Sequence, residues 1–422
     1  MTDLESELQR SPEKNKTATK GLHLFQKIGK YALILLVVLF AMNLLTKKLA
    51  QQINGTVAAG GTPTALAFQT DLLEVTGRLD DKPLKFTSGA LKGQSQLVAS
   101  HSTADGLITL KEPLKAAPAA GDKFVIIKKI TWDQVVEGLR TIPPRNIILA
   151  LLVTILNFLV LTGYDLLAVR YLRKQLPVRK VMMGAVIGYA LSNIFGWLIG
   201  GTALRYRLYS RWGFSLIDVV AFISFLSVTF WSGMFLLAGV AFVMLPVELP
   251  QQYAEAFYFP PKFFGWFFLS GVALYLTLTA VYRKPIKLGG NLYQLPPLGL
   301  SCLQLTISAL DFALASYVLY LLLPAEVASY PNVLVAYMAG MVVTVTLHVP
   351  GGAGVLDAIL LHLLDSSGDE TADSSVKVAV VCAIVMFRVI YYLLPAIVAG
   401  LLLLYIELTE KGVPKEPQPE SD

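Results

Sequence analysis

Five ionisable side chains lie in stretches that are otherwise apolar. They are Asp165 in LTGYDLLAVR, Asp311 in SALDFALASY, His348 and Asp357 in TLHVPGGAGVLDAILL, and Arg388 in VMFRVIYYLLP. A charge at membrane depth is costly, so such residues face a protein interior or a polar path and are functional candidates by default. Asn157, Asn193, Tyr391 and Tyr392 add hydrogen-bonding groups to the same stretches. Arg205, Arg207 and Arg211 form a basic cluster in ALRYRLYSR. A guanidinium fork binds two oxygens at once, which suits phosphate.

Gly351, Gly352 and Gly354 interrupt an apolar segment just after Pro350. A helix restarting near Gly354 points free N–H groups and its positive dipole end inward, an anion site for a lipid phosphate or a carboxylate. Glycine also lets a headgroup come close to the backbone. The reading is substrate contact by Arg205, Arg207, Arg211, Gly351, Gly352, Gly354, Arg388 and Tyr391, with gating or proton coupling by Asp165, Asp311, His348 and Asp357. Each feature has a plainer reading beside it. Asp357 can serve only its helix start, Asp165 or Asp311 can sit in a structural ion pair, and His348 can be an interhelical hydrogen-bonder. The arginines can be topology signals and headgroup anchors.

Other chemistries find no support. PGGAG is not followed by Gly-Lys-Ser/Thr, so it is no nucleotide-phosphate loop. His23, His101, His348 and His362 make no His-Glu-x-x-His pattern, and Cys302 and Cys382 give neither a disulfide framework nor a Cys-x-x-Cys metal site. No nucleophile elbow occurs. The expectation is a transporter and not an enzyme, with no metal and no cofactor. The net charge of +6 does not point to nucleic acid, because Lys and Arg cluster beside the apolar runs.

The elements that position these residues follow from composition. The 422 residues are 55% hydrophobic and 15% charged, with a mean hydropathy of +0.60. Apolar runs recur at 28–45, 147–169, 181–203, 217–245, 263–282, 298–323, 331–349 and 376–405. About 20 apolar residues cross a bilayer as a helix. The expected fold is an all-α polytopic membrane protein carrying two re-entrant or broken helices, plus a small all-β extracytoplasmic domain inserted after the first span. The domains are a cytoplasmic tail (1–30), a transmembrane signal anchor (31–49), the β domain (50–141), the polytopic domain (142–408) and a cytoplasmic disordered tail (409–422). Within 50–141, LLEVTGRL, PLKFTSG, QLVASHS, GLITLKE and KFVIIKKI alternate and are separated by Gly, Pro and Asp, which predicts a small antiparallel barrel or sandwich. TWDQVVEGLRTIPPRN predicts a short interfacial helix ended by Pro143-Pro144.

Charge parity predicts the breaks. If 181–203 crossed fully, Arg205, Arg207 and Arg211 would lie outside and the acidic loop after the next span would lie inside. Both placements oppose the positive-inside rule. The conflict vanishes if 181–211 enters and returns to one face, with Gly196, Gly200 and Gly201 at its break. The same parity makes 331–364 a pair entering from the outer face, broken at Pro350 to Gly354. Broken segments in both halves point to a transport site at an inverted-repeat interface.

YDLLAVRYL, GGTALRYRLYSRWG, HVPGGAGVLDAILL and FRVIYYLLP, in this order, resemble the transmembrane region of the lysyl-phosphatidylglycerol synthetase/flippase (MprF) family. The likeness spans roughly residues 147–408 and is nearest the stand-alone YbhN-like branch. It implies a polytopic domain whose better-known relatives move aminoacylated phospholipids between leaflets. The motif positions it carries over are Asp165, Arg205, Arg207, Arg211, His348, Pro350, Gly351, Gly354, Asp357, Arg388 and Tyr391. Position 357 is Asp where relatives have a similar glutamate, and 311 is Asp at a site that is Asn in a relative. No soluble aminoacyl-transferase domain is expected after LLLLYIELTEKGVPKEPQPESD.

The resulting expectation is a phospholipid flippase or lipid transporter of the cytoplasmic (inner) membrane, with both termini cytoplasmic. Its partner is a membrane phospholipid, with an extracytoplasmic protein partner possible through 50–141. Two alternatives stand: a membrane enzyme acting on lipid-linked substrates, and a non-transporting scaffold working through the outer domain.

Overall fold

The computed structural model describes residues 51–409 apart from 59–61, 68–78, 80–81, 103–106, 129–131, 197–200, 246–259, 283, 285, 289–290, 353 and 365–373. The expected tails, the anchor at 31–49, Gly200, the loop after the 217–245 span and most of the acidic loop after residue 364 lie outside the described residues.

Six short strands open the described chain: β1 (Gln51–Thr56), β2 (Ala65–Ala67), β3 (Pro83–Phe86), β4 (Ser95–Ser102), β5 (Leu107–Leu110) and β6 (Lys123–Lys128). They form one antiparallel half-barrel sheet in the order β1-β6-β3-β4-β5-β2. Alternation sets its single apolar face. Leu84 and Phe86 of β3 pair with Ile126 and Phe124 of β6, and Ile108 and Leu110 of β5 point the same way. The predicted strands at 83–86, 95–102, 107–110 and 123–128 are present. β1 and β2 were not anticipated, and the piece at 72–79 falls almost wholly outside the described residues. The last strand, β6, inserts between β1 and β3, a pairing that local alternation does not encode.

The remainder is helical. α1 (Trp132–Thr141) stops before Pro143-Pro144, and Pro144 starts α2 (Pro144–Tyr171), where a missing N–H costs nothing. There follow α3 (Val178–Phe195), α4 (Leu204–Arg211), α5 (Leu216–Met244) and α6 (Pro261–Val281). A hairpin of β7 (Ile286–Leu288) and β8 (Asn291–Tyr293) precedes α7 (Leu298–Leu322), α8 (Tyr330–Thr346) and α9 (Val355–Leu364). The chain closes with α10 (Ser374–Phe387), a π-helical segment (Arg388–Leu393) and α11 (Leu394–Thr409). Among the described residues, five segments are long and apolar enough to cross a membrane: α2, α5, α6, α7 and the run Val376–Thr409.

Side-chain contacts fix the helix directions. Asn157 of α2 meets Asp311 of α7 while Tyr164 meets Ser308, so numbering rises on one helix as it falls on the other and the two are antiparallel. On α5 and α7, Thr229 meets Gln304 and Gly233 meets Ser308, so these run parallel. α3 and α4 form an antiparallel pair: Gly184 lies against Tyr209 and Gly188 against Arg205, and Lys180 sits over the Trp212 ring. The Gly-x-x-x-Gly spacing at 184–188 thus serves close helix packing. α8 and α9 make a second antiparallel pair, with Gly340 against Leu356 and Thr344 against Gly352. Both predicted interruptions are therefore real breaks in helix, at Gly196 (φ 80°) and from His348 to Gly354. The expected span at 376–405 is one apolar run, but six of its residues are π-helical.

Candidate functional site

The two breaks meet. Gly351 (φ 62°) lies against the last carbonyls of α3, so close that a Cβ there would stand 2.5 Å from the Asn193 oxygen. Only glycine combines that backbone angle with that approach. After α8 ends, His348 takes a left-handed conformation (φ 54°), and Gly351, Gly352 (φ 62°) and Gly354 (φ 81°) turn the chain into α9.

One cation organises this turn. Arg388 donates from Nε and Nη2 to Asp357 Oδ1 at 3.0 and 2.7 Å. It also donates from Nη1 to the Gly351 carbonyl and from Nη2 to the Gly352 carbonyl. Asp357 Oδ2 accepts the Gly354 N–H at 3.0 Å. The start of α9 is thus capped by its own carboxylate, and the carbonyls of the turn are taken by a guanidinium. Both plainer and functional readings of Asp357 occupy the same atoms. Arg388 stacks at 4.4 Å over the Tyr392 ring and keeps 21% of its side chain exposed, against 3% for Asp357. It opens the π-helical segment, a rare geometry that frequently marks functional sites.

A second hydrogen-bonded network adjoins it. Tyr391 donates to Asn157 Oδ1 at 2.8 Å, Asn157 Nδ2 donates to Asp311 Oδ1 at 2.9 Å, and Tyr164 donates to Asp311 Oδ2 at 2.9 Å. Asp311 is buried, and among the described residues no cation pairs with it. It differs in this from Asp357 and Asp165, each of which pairs with an arginine.

Asp165 pairs with Arg205 at 3.3 Å, and both side chains are fully buried. Tyr209 donates to the other Asp165 oxygen at 2.6 Å, and the Arg205 guanidinium stacks at 4.2 Å on Tyr189. Arg205 fits because position 188 is glycine; a Cβ there would stand 2.6 Å from its Cζ. Arg205 Nε and Nη1 make no hydrogen bond.

The structure therefore separates residues that the sequence grouped. Arg205 turns inward to Asp165, while Arg207 and Arg211 clasp Glu407 of α11 at 2.7 and 3.1 Å. Gly351, Gly352, Gly354, Asp357 and Arg388 come together, with Tyr391 and Asp311 linked alongside through Asn157. His348 is exposed and its Nδ1 sits 3.0 Å from the Thr346 carbonyl oxygen. Tyr164, Tyr209, Ser308 and Glu407 belong to these networks and were not singled out from sequence. A Tyr immediately before Asp165 was the available signal for the first.

No family model matches the chain. It is 34% identical over 283 residues to the protein slr0712 of Synechocystis, covering 66% of this chain and 85% of that one. It is 30% identical over 289 residues to the inner membrane protein YbhN of Escherichia coli K12, covering 68% of this chain and 88% of YbhN. With apolar helices of spanning length and a relative this similar over nearly all of its length, the chain belongs to the YbhN-like family of membrane proteins.

Proposed function

We propose that the chain moves phospholipids between the two leaflets of the cytoplasmic membrane, using the junction of the broken helices as the polar step of the path. The observation that carries this reading is the contact of Gly351 with the end of α3. The ends of two interrupted helix pairs come together there, beside Arg388–Asp357 and Asp311. Interrupted helices meeting at membrane depth are the usual architecture of a transport site. Irregular backbone survives there only where protein or a polar cavity covers it.

The helix directions support the arrangement. With α3–α4 returning to its own face, α2, α5, α6 and α7 alternate so that α2 and α7 oppose each other and α5 and α7 agree, as the contacts require. The end carrying Arg170, Arg173, Lys174, Arg179 and Lys180 is cytoplasmic in this reading. The α8–α9 pair then enters from the outer side, and the half-barrel sheet and α1 lie outside, ahead of α2. A headgroup passes Arg388, whose guanidinium exchanges the turn carbonyls for phosphate oxygens, while the acyl tails stay in the bilayer. Asp311, without a cation, is the residue suited to take up a proton as the path alternates. The likeness to the transmembrane region of the MprF family supports a lipid cargo.

The test is reconstitution of the full chain in vesicles with leaflet-specific reporters on several headgroups. Wild type translocates lipid, and Arg388→Ala and Asp357→Ala each slow it by at least about tenfold, the worth of one charge-assisted bond. No translocation by wild type removes the function; equal rates in all three remove the site.

A further inference from the structure

We propose that a second site, at the cationic end of the helical bundle and distinct from the junction, binds the headgroup of an anionic phospholipid. A cavity of about 920 Å3 opens there between the last turns of α2 and the first turns of α5 and α7. That is the upper part of the roughly 300–1,000 Å3 range of small-molecule sites, room for a phosphodiester headgroup and the start of its chains.

Its lining is divided chemically. Arg170 and Arg173 stand on one side, both exposed, and among the described residues neither has a carboxylate within ion-pair distance. The acid that lines the cavity, Asp218, is already engaged: Lys174 reaches it at 2.6 Å, and the Ser215 backbone N–H and hydroxyl donate to it at 2.9 and 2.8 Å. The cavity is left with two uncompensated positive charges. Arg173 holds a left-handed backbone (φ 55°), which residues with side chains avoid.

The other walls are apolar. Leu167, Ala221 and Leu300 line the interior, and Ile217 and Leu303 carry the apolar wall outward, being 49% and 43% exposed. A soluble anion gains nothing from such a wall, whereas a lipid lays its first methylenes along it. The positive pair selects a net negative headgroup over a zwitterionic one, and paired guanidinium groups suit a phosphodiester. The inference rests on the lipid-moving reading for its occupant and adds the charge class of the lipid that loads from the cationic end.

The test uses the full chain in phosphatidylcholine nanodiscs carrying a trace of lipid with a photoactivatable acyl chain, either phosphatidylglycerol or phosphatidylcholine. Crosslinks are mapped by peptide. Phosphatidylglycerol labels residues 294–303 roughly tenfold more than phosphatidylcholine does, and Arg170→Gln/Arg173→Gln removes the difference. Gly299→Phe, at a helical position where a Cβ meets nothing within 4 Å, fills the cavity and blocks labelling with both arginines intact. Equal labelling by the two lipids, or labelling unchanged in both variants, overturns the proposal. So does competition by millimolar glycerol phosphate, which would assign the site to a soluble anion. Vesicle translocation is scored separately. Charge-selective labelling without translocation keeps this site and removes the transport reading, and translocation without charge-selective labelling does the reverse.

Discussion

Gly351→Ala probes the contact on which the arrangement depends. The substitution imposes two separable penalties. A side chain at φ 62° costs about 1–2 kcal/mol. The new methyl would then stand 2.5 Å from the Asn193 oxygen, a backbone atom that moves only if the end of α3 moves. Overpacking of this kind adds about 1–3 kcal/mol, so the total is roughly 2–5 kcal/mol. Gly354→Ala isolates the first penalty, because Gly354 has φ 81° but open space around its Cβ direction; its loss is about 1–2 kcal/mol. Gly400→Ala is the control, a helical glycine with nothing within 4 Å, and gains up to about 1 kcal/mol. The assay is equilibrium denaturation of the purified full chain in detergent, followed by far-ultraviolet circular dichroism. The expected order of midpoints is Gly400→Ala, wild type, Gly354→Ala, Gly351→Ala. A Gly351→Ala midpoint no lower than that of Gly354→Ala refutes the contact.

Other perturbations test the charges and the path of the chain. Asp165→Asn or Arg205→Gln alone costs about 3–5 kcal/mol, because each strands a fully buried partner, whereas Asp165→Leu/Arg205→Met recovers most of the loss; denaturation midpoints of single variants equal to wild type would contradict this. Asp311→Asn stays within about 1 kcal/mol of wild type, since the carboxamide oxygen still accepts from Asn157 and the Tyr164 hydroxyl, which keeps Ser308, can accept from the new amide, while Asp311→Leu costs roughly 1–3 kcal/mol by leaving one Asn157 N–H without its acceptor, the other still reaching the backbone carbonyl of residue 311. Equal losses in these two variants would show that the charge of Asp311, not its oxygens, holds the network. Single cysteines at Arg179 and Arg211 react with an impermeant thiol reagent from one face of the membrane, and cysteines at Glu326 and Leu363 from the other; two members of one pair labelled from opposite faces would exclude the returning paths.

Much of the backbone plan was legible because it is written in strong local signals. Gly196 and the Pro350–Gly354 run break apolar stretches too short to cross twice, and charge parity says the chain turns there. The antiparallel packing at Gly184/Tyr209 and Gly340/Leu356 matches that reading. The strands at 83–86, 95–102, 107–110 and 123–128 announced themselves by alternation. What stayed hidden is non-local. The insertion of β6 between β1 and β3 depends on pairing across about forty residues to β3 and about seventy to β1. The three nearby arginines looked like one cluster, yet on a helix Arg205 faces away from Arg207, and Arg211 comes round to meet Arg207 at Glu407, nearly two hundred residues on. The π-helical turn that opens at Arg388 leaves no composition signature.

The two halves fasten their returning arms with the same device and opposite polarity. In the first, the arginine is on the returning arm, α4, and the aspartate on the long helix α2. In the second, the aspartate is on the returning arm, α9, and the arginine follows α10. Their surroundings differ. Asp165–Arg205 is sealed, with Tyr209 on one oxygen and Tyr189 under the guanidinium, so separating the pair strands charge in an apolar interior. Arg388 is partly exposed and holds a carboxylate together with two backbone carbonyls, partners that a phosphate can replace one at a time without leaving the guanidinium bare. On the lipid-moving reading proposed above, a sealed pair serves as a fixed fastening, and a shared, accessible one suits exchange with a headgroup. Substitutions at Asp165 and Arg205 should therefore act first on stability, and those at Asp357 and Arg388 first on lipid movement.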